Sequence, residues 1–316
     1  MPIIMTLSGI IPGPAPSPSR TVRPRLTRRI DAAAGFGQIV QHALDHLLDN
    51  RPATLAGDPE GVHQMRIAIR KLRTALIMFD PWLDPMTACR IEAELSRIGR
   101  VLGEVRNWDI FCDEIVPDAL DEPGHVAWRE AICRAAAPHR AAAREWVNRE
   151  VRGAAFQVMT RGLSAWAETA RTQPEKLDDR LGRSLGRIAP KVLDRLADVA
   201  ARRGKQLEGR SDAELHALRK AMKKLRYGIE FFTGLYPDDE VEAYLRRCRS
   251  VQQDLGAYND AAVSVSLAAR LADPRRPDLS GALKTLTRRL DMRRKDAAAR
   301  VCRRWAKLQE QRRFWR

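Results

Sequence analysis

Val62 to Phe79 reads VHQMRIAIRKLRTALIMF. On a helix at 100° per residue, Met65, Ile69, Leu72, Leu76 and Phe79 share one side, the apolar stripe of a helix packed on a core. His63, Arg66, Arg70 and Arg73 form a second stripe, roughly 120° round from the first. At about 1.5 Å rise per residue these four make a ladder roughly 15 Å long. Cations stacked at such spacings repel and cost the helix stability. A helix that carries them either turns them to solvent or holds them toward an anion, and one copy does not decide between the two.

The stretch occurs again. Leu215 to Phe232 reads LHALRKAMKKLRYGIEFF, and 216 − 63 = 153 sets His216 opposite His63. The same offset pairs Arg219 with Arg66, Lys223 with Arg70 and Arg226 with Arg73. Leu218, Met222, Leu225, Ile229 and Phe232 repeat the apolar stripe. A solvated face has no reason to reproduce a histidine and three cations in register, so the repeat points to two basic ladders serving one site. These eight residues are the first candidates for anion ligands. Lys71 and Lys224 also repeat, but they sit roughly 120° off the ladder axis and are rim candidates. Arg140, Arg144, Arg289 and Arg293, on later basic helices, are second-rank candidates.

Lys and Arg number 56 against 40 Asp and Glu, a net charge of +16, which suggests an anionic partner: nucleic acid, a phosphate polymer or other polyanion, or an acidic membrane surface. With 316 residues, 44% of them hydrophobic and 30% charged, the chain has enough apolar side chains for a sizeable core. No run of 18 apolar residues occurs, so no membrane insertion is expected. Five cysteines, an odd number with no CxxC pair, argue against a disulfide framework and fit a reducing cytoplasm. Cys248 replaces Leu95 in the repeat and reads as a buried thiol.

Residues 1–24 are rich in proline and read as a disordered leader. The remainder, 25–316, divides into a first helical half at 25–170, a linker at 171–180 and a second half at 181–316. Helices are expected over about 27–49, from Pro59 to the Asp80-Pro81 stop, 85–102, 124–151 and 154–170, with Arg51 to Gly61 as a loop before the ladder helix. In the second half they are expected over about 181–203, the second ladder, 239–255, 259–271 and from Pro277 onward. LGEVRNWDI (102–110) and LGAYNDAAV (255–263) repeat at the same offset and read as helix–helix corners, with Gly103 ending one helix and Asn107 or Asp109 capping the next. No alternating strand pattern is found. The fold class is therefore all-α, two tandem helical bundles related by an internal pseudo-two-fold.

The paired HQMRIAIRKLR and LGEVRNWDI, then HALRKAMKKLR and LGAYND, resemble the conserved histidine α-helical domain, or CHAD, family over about residues 28–314. Asn107, where that family usually has Asp, and Lys223, in place of Arg, are small departures. The resemblance implies two bundles facing across a basic channel that binds inorganic polyphosphate, with no reaction catalysed, and recruitment to polyphosphate granules.

The residues themselves support binding over catalysis. Guanidinium groups take phosphate oxygens two at a time, and a linear polyanion needs no base readout. A phosphoryl-transfer enzyme would want carboxylates for Mg²⁺ or a phosphate loop, and the ladders have almost no acids and no GxxxxGK[ST]. No metal site or cofactor is expected, since zinc wants three or four ligands and the ladder cations repel a metal ion. Nucleic acid is the alternative partner; the charge suits it, but no aromatic residues interleave with the basic positions as a stacking platform.

Overall fold

The structure is a computed structural model, and it describes residues 17–20, 24–173, 179–207 and 209–316. The fold is all-α. The first half contains α1 (Ala32–Asp49), the short α2 (Arg51–Leu55), α3 (Pro59–Phe79), α4 (Pro85–Ile110), α5 (Val116–Ala119), α6 (Val126–Arg152) and α7 (Ala154–Thr172). The second contains α8 (Leu185–Arg203), α9 (Asp212–Phe231), α10 (Asp238–Arg270) and α11 (Pro277–Gln309). The repeat extends to where helices begin: 32 + 153, 59 + 153 and 85 + 153 are the first residues of α8, α9 and α10.

Each ladder helix starts where its sequence caps it. Asp58 accepts from the Glu60 and Gly61 amides at 2.7 and 3.4 Å, and Pro59 fills the first helical position. Ser211 and Glu214 close a reciprocal capping box on α9. Both apolar stripes are buried: Met65, Ile69, Leu72, Leu76 and Phe79 on α3, and Leu218, Met222, Leu225, Ile229 and Phe232 on and just after α9. They belong to one continuous core, to which α1, α4, α8 and α10 contribute. Cys248 is buried in it, and no disulfide joins any of the five cysteines.

Several expected boundaries are corrected. Both proposed corners are absent. α4 runs unbroken through Gly103 and Asn107 and then loosens into a π-helical segment, Phe111–Ile115, and α10 continues straight through Gly256 and Asn259. Glycine there serves close packing on α4 and does not stop the helix. The stretch expected to be a loop holds α2, whose Ala53 amide carbon stands 2.9 Å from where a Cβ on Gly61 would lie. The first helix begins at Ala32, not near Thr27, because the chain before it pairs with the start of the second half. Leu185 and Gly186 donate to the Ile30 and Arg28 carbonyls, and Ala32 donates to that of Arg183. Extended pairing among the described residues is limited there, to a bridge between Asp31 and Ser184. Within the expected leader, residues 1–16 and 21–23 lie outside the described residues, but Ser19 is fixed to Asn50 by two 3.0 Å hydrogen bonds. Of the expected linker, Arg171 and Thr172 finish α7, and residues 174–178 lie outside the described residues.

The halves meet through α3 against α9, α4 against α10, and α6 against α11. Arginines seal several of these junctions. Arg195 donates to the Ile77 and Met78 carbonyls at the end of α3, and Arg289 to that of Ala119. Such contacts satisfy helix C-terminal carbonyls that have no partner within the helix. Much of the arginine excess is thus structural. Among the described residues, no helix is long and apolar enough to cross a membrane.

Candidate functional site

α3, α4 and α9 enclose a cavity of about 390 Å³. Arg66, Arg70 and Arg73 of α3 and Arg100 of α4 line one side, and Arg219, Lys220, Lys223 and Lys224 of α9 line the other, together with His216. None of the lining residues is Asp or Glu. Two carboxylates lie close behind: Glu92 grips the Arg73 guanidinium at 2.6–3.1 Å, and Asp260 lies 3.7 Å from Arg219.

So many buried cations raise the free energy of each one's charged form. Burial, then Arg70, Arg219 and Arg106, pushes Arg66 down to about 9. Burial, then Arg70, Arg219 and Arg66, pushes Lys223 down to about 5. Arg219 is lowered by burial, with Asp260 working against the shift. Lys224 is lowered by burial and then by Arg73. These cations lack counter-charge in a setting that burial and mutual repulsion make unfavourable to them, an arrangement suited to an anion.

The two ladder histidines differ. His216 donates from Nδ1 to Asn259 Oδ1 at 2.9 Å, and Asn259 Nδ2 donates in turn to Asp260 at 3.2 Å, which fixes the amide's orientation. Burial lowers the His216 pKa, and the Asn259 bond partly restores it. His63 has Arg106 where the repeat would put Asn259, since 259 − 153 = 106. Burial and then the Arg106 charge lower its pKa, and His63 does not line the cavity.

The ladders do not present matching arcs. Measured from Arg66, the α3 lining positions centre about 10° round the helix; measured from Arg219, the α9 positions centre about 70° round. The matched apolar stripes are buried in both helices, so the two keep the same face to the core and the cavity opens onto a different arc of α9. That arc takes in Lys220 and Lys224 and leaves out Arg226, which instead bonds Gln252 and Glu230 and lies over the Tyr227 ring. Arg73, the counterpart of Arg226, does line the cavity. Lys71, the counterpart of Lys224, is buried on the far side of α3, beside His46, whose proton it disfavours.

The second-rank arginines stand outside this cavity. Arg140 and Arg144 reach the buried Asp109 at 2.7 and 3.2 Å, and Arg140 also pairs with Asp113. Arg289 pairs with Glu122, and Arg293 with Asp118 at 2.5 Å. All four are neutralised where α6 and α11 meet the π segment and α5. Arg100 and Lys220 line the cavity but were not among the expected ligands. Their repeat counterparts are Gln253 and Ile67, so a reading built on repetition passes over them.

Among the described residues, no three or more His, Cys, Asp or Glu side chains are grouped to hold a metal ion.

The CHAD domain family model matches residues 38–269. The fold is similar to the crystal structure of the CHAD domain from the plant Ricinus communis, with a TM-score of 0.79 and 27% identity over 94% of this chain and 98% of that one. It is also similar in fold to PptA from Streptomyces chartreusis, with a TM-score of 0.63 and 16% identity over 88% of this chain and 100% of that one. No curated protein matches the chain.

Proposed function

The chain belongs to the CHAD domain family, and from that premise we propose that the cavity between α3 and α9 binds inorganic polyphosphate without catalysing a reaction on it. The observation that carries this reading is the lining: eight Lys and Arg side chains, seven from the facing α3 and α9 and one from α4, with no carboxylate among them. Phosphate groups in a row supply one negative charge after another, and each arginine can hold two oxygens of one group. A kinase or hydrolase would need acids in the lining to hold Mg²⁺ or to activate a nucleophile. Under this reading the protein is recruited to polyphosphate granules in the cytoplasm.

Nucleic-acid backbone is the second reading, supported by the net charge of +16. Against it, the aromatic residue in the lining is Tyr227, which is 3% exposed and lies under Arg226, so bases find no stacking surface. Competition between long-chain polyphosphate and single-stranded DNA of equal charge, at two salt concentrations, separates the readings. Polyphosphate is expected to displace DNA at both, with affinity falling steeply as salt rises. DNA binding at least as tightly as polyphosphate would overturn the proposal.

A further inference from the structure

Gly103 lies inside α4, where glycine is a poorer helix former than alanine. A side chain of α3 accounts for it. A Cβ on Gly103 would lie 2.9 Å from Arg66 Nη1, so the guanidinium crosses α4 where there is no side chain to meet it. Arg66 Nη1 is buried and has no hydrogen-bond partner among the described residues. The repeat provides an internal comparison. Gly256, at 103 + 153, has nothing within 4 Å of its own Cβ position. Its ladder arginine, Arg219, also has a buried donor without a hydrogen-bond partner, Nε, but has Asp260 at 3.7 Å. At 260 − 153 = 107 the first half carries Asn107, which brings no charge to Arg66. The first ladder thus holds a guanidinium with a buried, unpartnered donor set against a glycine; Asp260 acts on it across the cavity, but no carboxylate stands at its own repeat position.

We propose that Gly103 is a positioning residue: it seats Arg66 Nη1 against α4 so that the rest of the guanidinium, which lines the cavity, meets one phosphate group of the ligand, making Arg66 the anchor of an asymmetric site. The inference rests on the polyphosphate reading above. It assigns the repeated glycines different work, binding geometry for Gly103 and no contact role for Gly256.

Titration calorimetry with inorganic tripolyphosphate, alongside thermal melts, tests this on the full chain. Gly103→Ala should bind about ten-fold more weakly, the scale of losing one charge-assisted contact. Without ligand it should melt no lower than wild type, because alanine favours the helix and the displaced group is the end of a flexible side chain. Gly256→Ala should keep wild-type affinity. Arg66→Ala should lose about ten-fold, and adding Gly103→Ala to it should cost nothing more. Wild-type affinity in Gly103→Ala, or a full further loss on top of Arg66→Ala, overturns the proposal. Should Gly103→Ala fail to fold, Arg66→Ala/Gly103→Ala decides: a restored fold upholds the contact, and an unfolded double variant refutes it. Wild type that does not bind tripolyphosphate or longer chains brings down the polyphosphate reading itself, and the anchor with it.

Discussion

Lys223 is the cavity cation whose proton should respond most to ligand. Burial, then Arg70, Arg219 and Arg66, holds it down to about 5, so the free protein at pH 7.5 carries a neutral amine there. A bound phosphate supplies the missing counter-charge and returns the group toward its ordinary range near 10.4. In the ligand-free protein the folded pKa is depressed from 10.5, so between about 5 and 10.5 the unfolded chain binds more protons. Ligand-free stability therefore rises with pH across this window and is lost as pH falls toward 5. Binding runs the other way. The complex holds about one proton more than the free protein, so affinity should weaken about ten-fold per pH unit between roughly pH 6 and 9. The groups facing Lys223 besides the three arginines are Asp260, which opposes the shift, and His216 and Lys220 on its own helix. His216 and His63 are both lowered from 6.5 and add proton uptake only below that value.

Calorimetry with long-chain polyphosphate at pH 7.5, in two buffers of different ionisation enthalpy, measures the uptake directly. Long chains keep the titrating terminal phosphates few. Uptake of about one proton is expected, and Lys223→Met should nearly abolish it and flatten the pH dependence. The same heat in both buffers, or the same uptake in Lys223→Met, would refute the assignment.

Lys220→Ala and Arg100→Ala should each weaken polyphosphate binding and lower the slope of log affinity against log salt by about one, whereas Arg226→Ala and Arg293→Ala should leave both unchanged. Binding isotherms at three salt concentrations check this. Polyphosphate at about a hundred times its Kd should stabilise the fold by about 2.7 kcal/mol, read as a rise in Tm of several degrees. Trp108 is fully buried between the His139 ring and the Arg270 guanidinium, so Trp108→Ala should cost about 3–5 kcal/mol in urea unfolding.

The sequence alone determined that the chain is helical, that two of its helices are copies, and which side of each is buried. Helical periodicity and capping are local, so Met65 to Phe79, the Asp58-Pro59 start of α3 and the Pro277 start of α11 were all legible. The register of 153 also puts Arg66, Arg70, Arg219 and Lys223 in one candidate site, and all four line the cavity. Helix continuity at Gly103 and Gly256 was not legible. Glycine marks both helix ends and close approaches, and only the neighbour across the gap, Arg66 in one half and open space in the other, distinguishes them. Nor could a linear repeat reveal which arc of each ladder helix the cavity meets. The same apolar face is buried in both helices, yet the lining on α9 takes in Lys220 and Lys224 and omits Arg226. The distant arginines were settled by tertiary structure for the same reason. A guanidinium looks the same in sequence whether it lines a cavity, as Arg66 does, or has found Asp109, as Arg140 has, because its surroundings are built by other helices.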